Sequence, residues 1–418
     1  MVRGRTWLIA ILLLALVGRL VAAWAVQQKV GDQLCLIAGD AEGYWELARK
    51  MTAGQGFSLY DPPRHVHRMP GFTAVLALSM KLFGESPFAA RCLLALIGTA
   101  ACGAVYLLGR RLFDERIALI ACGLTAISPV MTGFSVLLLS ETLFALTLTL
   151  SLWCAANWLP AESREPKAES RYPILWPLLT GISIAIATYV RPSWMLAGPL
   201  LAVLVILLKR SRGKACLESA VMLLGLFGAM LPWAWRNHEV SGHWVFTTLW
   251  SGPSLYDGLN PDANGDSNMT FFDRDNLMAQ MSEWDVDQHY KQAAWQYARQ
   301  HPGRAVELSL LKLWRYWKPW PSAKEFGGFW RGLLVAAFFV PVCVLAARGG
   351  WQARKQPWVC FLTLGPIFYF AAIHAVFVGS LRYRLPAEYP LCVLAAVGVC
   401  SLLKNQPAVP QPSGSGPL

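Results

Sequence analysis

The chain reads as an all-α polytopic membrane protein, a bundle of about ten transmembrane helices with short juxtamembrane helices lying in the bilayer interface. Three observations lead there. Of 418 residues, 55% are hydrophobic and 15% charged, and the mean hydropathy of +0.39 lies outside the range of soluble domains. Apolar runs of about 20 residues, the length that crosses hydrocarbon, recur along the chain. Lys and Arg gather in the short connections between alternate runs, as cytoplasmic loops require.

The first run covers 7–26, after the basic start MVRGR. A basic start with a VAA-like end could be a cleaved signal peptide, but Arg19 interrupts it and many spans follow, so an uncleaved signal anchor is expected. Further runs lie at 89–109, 117–136, 139–159, 173–190, 193–208, 216–235, 328–347, 357–378 and 386–403. The run GFTAVLALSMKLFG, 71–84, is short and carries Lys81. If it crossed, the basic connections GRRLFDER, ESREPKAESR, KRSRGK and ARGGWQARK would all leave the cytoplasm, so it is expected to lie on the outer leaflet as an interfacial helix.

With the N-terminus cytoplasmic, one membrane domain over 1–403 carries two large outer loops, 27–88 and 236–327. The tail 404–418, rich in Pro, Ser and Gly, is expected to be disordered.

The net charge of +12 does not indicate nucleic acid, because no basic run is interleaved with stacking aromatics on a soluble face. Anionic lipid or phosphate is the expected partner. Nineteen Trp and twelve Tyr suit many helix ends at the interface. Ten Cys form no CxxC pair and lie mostly in apolar runs, which supports neither a disulfide framework nor a thiolate metal site.

The chemistry concentrates on the outer face. In GDAEGYWELARK, Tyr44, Leu47, Ala48 and Met51 form one helical stripe, while Asp40 stands just before the helix and Glu42 sits in its first turn. Capping explains both acids, and so does a site. RHVHRMPGF places Arg68 beside the Pro70-Gly71 turn, suited to a phosphate at the membrane surface. His65 and His67 alternate but lack a third metal ligand. SVLLLSETLF puts Glu141 where two spans meet the outer surface, in apolar company that demands a reason. Arg191 in YVRPSW, Arg236 in LPWAWRNHEVSG, and Arg382 and Arg384 in GSLRYRLPAEYP mark other outer turns or span ends. NPDANGDSN alternates Asp262, Asn264, Asp266 and Asn268, but Gly265 is misplaced for a calcium loop and no Glu closes it, so a polar turn is expected. The stretch from WDVDQHYK to WKPWP reads as two helices, the second amphipathic near 304–318.

Taken in order, GDAEGYWELARKM, RMPGF, SPVMTGFSVLLLSETLF, YVRPSW, LPWAWRNHEVSG and LRYRLPAEYP resemble the membrane-embedded GT-C glycosyltransferases. The likeness is to the family 39 group, which includes protein O-mannosyltransferases and lipid A aminoarabinose transferase. It spans roughly 1–400. It implies the GT-C helix bundle and transfer of a sugar, with inversion, from a polyprenyl-phosphate carrier to a glycan, lipid or protein acceptor on the outer face of a bacterial inner membrane. The family's catalytic acid falls on Asp40, and its usual Asp-Glu pair is interrupted here by Ala41. Its second acid falls on Glu141. Arg68, Arg191 and Arg382 or Arg384 match its basic positions, and Glu42, Tyr44 and Arg236 complete the substrate-binding set. Some relatives use a divalent metal, which Asp40 and Glu141 would hold here. A transporter or flippase of lipid-linked sugar is the alternative, though its ionisable groups belong near the midplane, where only Arg19 and His374 come close. A non-catalytic envelope scaffold is a third reading.

Overall fold

The structure, a computed structural model, describes residues 2–31, 33–34, 39–159, 174–209, 211–321 and 327–403. The tail expected to be disordered lies outside them. Among the described residues the chain is built of α-helices, with no strand and a single antiparallel bridge between Leu59 and Arg64.

Helix α1 (Val2–Val30) leads into a long connection containing α2 (Asp40–Thr52) and α3 (Pro70–Phe83). Then follow α4 (Pro87–Leu112), α5 (Glu115–Ile127), α6 (Pro129–Phe134), α7 (Glu141–Trp158), α8 (Leu175–Val190), α9 (Ala197–Leu208) and α10 (Arg212–Ser241). A second long connection carries α11 (Ser251–Gly258), α12 (Thr270–Asp275), α13 (Glu283–Gln300) and α14 (Pro302–Trp317). The chain closes with α15 (Phe329–Ala353), α16 (Pro357–Val376) and α17 (Leu381–Leu402).

The protein is a multi-pass membrane protein. Six of these helices are long and apolar enough to cross a bilayer: α1, α4, α10, α15, α16 and α17. The other four expected spans appear as shorter pieces. Pro129, whose ring cannot continue the preceding helix, divides 117–136 into α5 and α6 at Ser128. Pro192 likewise separates α8 from a one-turn 3₁₀ segment and α9, leaving α8 with 16 residues. Helix α3, at 14 residues, is shorter than a straight crossing requires.

Helix α17 is the axis of the bundle, packing against α4, α5, α7, α14, α15 and α16 and burying nearly every residue from Arg384 to Gly398. Lipid offers no hydrophobic drive between helices, so contact depends on backbones coming close. Glycines allow this: a Cβ on Gly398 would lie 2.2 Å from the Leu345 carbonyl oxygen, and one on Gly349 would lie 2.0 Å from that of Leu394. Gly181 does the same between α8 and α10, 1.9 Å from the Met222 oxygen.

Buried charge is satisfied locally. Arg19, fully buried in α1, donates to the carbonyls of Ala15 and Thr125 at 3.1 and 3.3 Å and to Cys102 Sγ at 3.4 Å, which ties α1 to α4 and α5. Its charge is thus solvated by backbone dipoles of the bundle.

Gly398→Leu is expected to wedge α15 from α17 and to lower stability by about 1–3 kcal/mol, the usual effect of overpacking. Thermal unfolding of the detergent-solubilised protein measures it, and Gly123→Leu, at a glycine with open space around it, is expected to leave the melting temperature in place.

Candidate active site

Five helix ends deliver the site, and local sequence explains each. Helix α2 begins with Gly39 as its N-cap at a φ of 119°, a conformation only glycine adopts freely. Asp40 is therefore the first helical residue rather than the residue before the helix, and its side chain makes no cap bond. The cap role falls to Glu42, whose Oε2 accepts the Gly39 amide at 3.1 Å. Relieved of capping, the Asp40 carboxylate points to charged neighbours.

Arg68 precedes α3, which starts at Pro70. Gly71 sits against the end of α8, where a Cβ would be 2.7 Å from the Tyr189 oxygen, so the Pro-Gly turn lets α3 dock beside the Arg191 turn. Arg68 Nη2 donates to Asp40 Oδ1 at 2.7 Å, and its guanidinium lies 4.4 Å from the centre of the Tyr44 ring, which is itself braced edge-on by Phe72. Arg382, one residue into α17, donates through Nη1 to Asp40 Oδ2 at 2.7 Å and through Nε to Glu141 Oε1. Glu141 opens α7 fully buried and also accepts from Arg191 Nη1 at 3.3 Å; its Oε2 has no hydrogen-bond partner among the described residues.

The result is a chain of alternating charge: Arg68, Asp40, Arg382, Glu141, Arg191. A carboxylate as buried as Glu141 persists only when paired, and two guanidinium groups pair it. Burial alone would raise the Asp40 pKa, but the charges of Arg382 and Arg68 outweigh it and hold the carboxyl well below the usual range.

Six of the nine expected site residues thus come together: Asp40, Glu141, Arg68, Arg191 and Arg382, with Tyr44 behind Arg68. Three do other work. Glu42 caps α2. Arg384, two residues from Arg382, points the other way because two helical steps turn about 200°. It is fully buried, pairs with Glu388 at 2.6 Å and donates to the carbonyls of Tyr316 and Lys318. Arg236 staples the first long connection, donating to the carbonyls of His65 at 2.5 Å and Phe57 at 2.9 Å.

Sequence reading missed residues that act from a distance. Glu283, in the first turn of α13, accepts the amides of His65 at 2.8 Å and Val66 at 3.1 Å, fixing the backbone that leads into Arg68. Arg315 of α14 donates to the Gly379 carbonyl at 3.3 Å and pairs with Asp266 at 2.5 Å, holding the turn before Arg382. A Cβ on Gly379 would lie 2.1 Å from the Lys312 oxygen, so that turn needs glycine. The stretch NPDANGDSN forms the polar turn expected of it, and its Asp266 anchors α14 through Arg315.

Asp40 and Glu141, the two acids expected to hold a metal, lie on either side of Arg382 in the charge line. Both face the one guanidinium of Arg382, and among the described residues no three His, Cys, Asp or Glu side chains converge on a point.

Comparison with solved structures shows that this all-α membrane bundle is similar in fold to archaeal oligosaccharyltransferases. Residues 65–235 match the model of the dolichyl-phosphate-mannose-protein mannosyltransferase family. The archaeal oligosaccharyltransferase AglB from Archaeoglobus fulgidus, in complex with an inhibitory peptide and a dolichol-phosphate, aligns at a TM-score of 0.61 and 16% identity over 96% of this chain and 50% of that one. The oligosaccharyltransferase of the same organism with Zn and sulfate aligns at 0.57 and 15% identity over 95% and 49%. ArnT from Cupriavidus metallidurans bound to undecaprenyl phosphate aligns at 16% identity over 95% and 78%, with a TM-score of 0.43. The chain spans about half the length of the oligosaccharyltransferases it matches. No curated protein matches it.

His67 supplies a test of this loop. It is buried with its ring edge-on to Trp250 and Tyr60, and burial, reinforced by Arg68 and Arg64, lowers its pKa well below 6.5. A histidine held neutral in the native state takes up its proton only on unfolding, so stability is full above pH 6.5 and falls as the pH drops below it. Melting temperatures at pH 7.5, 6.5 and 5.5 should show that fall, and His67→Phe, which keeps a ring against Trp250, should shallow it; an unchanged slope contradicts the assignment.

Proposed function

We propose that the protein is a glycosyltransferase that moves a sugar from a polyprenyl-phosphate carrier to an acceptor hydroxyl. The single observation that carries this reading is the line of three arginines threaded by two carboxylates at the ends of α2, α3, α7, α8 and α17. Guanidinium groups match phosphate oxygens, and a partly dry crevice strengthens such bonds.

In the proposed reaction the acceptor oxygen attacks the anomeric carbon from the face opposite the phosphate. The new carbon–oxygen bond forms as the anomeric carbon–phosphate oxygen bond breaks, and the polyprenyl phosphate leaves with that electron pair. The hydroxyl proton passes to Asp40, and Arg68, Arg191 and Arg382 stabilise the charge growing on the departing phosphate. Attack from the opposite face inverts the anomeric centre. A divalent metal bridging Asp40, Glu141 and the phosphate would take the place that Arg382 holds here, and no step is routed through it.

The matching family is named for mannosyl transfer from a dolichyl phosphate, and the aligned archaeal structure contains a dolichol-phosphate. Both support a lipid-phosphate donor here. Clustering of the acids and arginines at helix ends rather than at mid-bundle favours transfer over carriage across the membrane. The basic short connections support a cytoplasmic N-terminus and a reaction on the outer face of a bacterial inner membrane, with 1–403 as the membrane domain and 27–88 and 236–327 as its outer loops.

Purified protein given radiolabelled polyprenyl-phosphate sugar and envelope acceptors is expected to transfer label, and Asp40→Asn to reduce the rate by about 10²–10⁴-fold while the protein still folds. Wild-type rates in that variant remove Asp40 from the reaction. Arg384→Met is expected to change stability rather than donor affinity, since its partners are Glu388 and two carbonyls.

A further inference from the structure

The pairing at Asp40 has a consequence for how the site would be used. Each carboxylate oxygen is taken by a different guanidinium, Oδ1 by Arg68 and Oδ2 by Arg382, both at 2.7 Å. A phosphate group entering the crevice needs those same donors. The site carries three arginines and two acids, a net charge of 3 − 2 = +1, so an anion is attracted, but not to donors standing free.

The two acids are not equally easy to displace. Glu141 is fully buried at the head of α7, and losing its arginines would strand a charge away from water. The Asp40 side chain is 38% exposed and can be rehydrated when its partners leave. Arg382 also grips the two acids through different nitrogens, Nη1 for Asp40 and Nε for Glu141, so it can release the first while staying anchored to the second.

We propose that Asp40 and the donor phosphate compete for the same edges of Arg382 and Arg68, so that phosphate entry is the event that frees the Asp40 carboxylate. By pairing with both guanidinium groups, the base closes the site on itself. A carboxylate tied to two guanidinium groups is a weak proton acceptor, and exchanging them for phosphate turns it toward the acceptor. Donor binding then precedes acceptor activation by construction. This rests on the lipid-phosphate reading above and adds an order of events to it.

The test is equilibrium binding of radiolabelled undecaprenyl phosphate to the full-length protein in detergent–lipid micelles, without acceptor. Asp40→Asn is expected to bind the probe more tightly, by about tenfold, a modest coupling for a close charge pair. Glu46→Gln, which removes an acid on the same helix paired only with Arg49, is expected to leave affinity unchanged and so separates competition from general charge. Arg68→Gln and Arg382→Gln are expected to weaken binding. If Asp40→Asn binds equally or more weakly while both arginine variants lose affinity, exchange is overturned and the lipid-phosphate site stands. An equal gain in Glu46→Gln also overturns exchange. If neither arginine variant loses affinity, the lipid-phosphate reading fails and takes the exchange with it.

Discussion

Arg382 is the constraint on which the rest depends. Its one guanidinium joins Asp40, in the first long connection, to Glu141, at the head of a helix in the bundle. Both acids converge on it: Asp40 sits at the start of a 13-residue helix outside the main bundle, and Glu141 is sealed from water. The position of Arg382 is in turn set by the axis helix and by the turn that α14 holds through Arg315 and Lys312, whose ammonium donates to the Val376 carbonyl at 2.7 Å. The two long connections therefore serve one point from opposite sides. One carries Asp40 and Arg68, and the other fixes the turn preceding Arg382 and, through Glu283, the backbone before Arg68.

This division explains why so much polar bonding lies far from the charge line. Arg236 closes on the His65 and Phe57 carbonyls, and Glu283 accepts the two amides at His65 and Val66, so the stretch before Arg68 is held by both an anion and a cation from other elements. Side chains that reach backbone groups fix position without competing for the charged partners that chemistry needs. Arg384 and Glu388, buried inside the axis helix, anchor α14 through the Tyr316 carbonyl.

Much of this was legible in the sequence because membrane solvation writes itself into composition. Apolar runs located the helices, and the amphipathic stripe of 304–318 and the short helix after Gly39 appear as α14 and α2. Residue type and outer-turn position also picked out Asp40, Arg68, Glu141 and Arg191. What the sequence withheld was rotation and length. Arg382 and Arg384 look equivalent on paper, and only the phase of α17 decides that one meets Asp40 and the other faces Glu388. Capping and a site both fit Asp40 in the sequence; a glycine at positive φ takes the N-cap place and leaves the carboxylate for other use. Pro129 divides one expected span in two. Glu283 and Arg315 had no local signature, since each acts on backbone atoms supplied by a distant segment.

The sealed carboxylate of Glu141 also bears on biogenesis. Its partners arrive late: Arg191 lies 50 residues further along and Arg382 lies 241 further. During synthesis, α7 must therefore enter the membrane carrying an acid whose counter-charges are still on the ribosome or not yet made. The nascent acid lacks its full set of counter-charges until α17 brings Arg382. Completion of the charge line is then a step taken by α17.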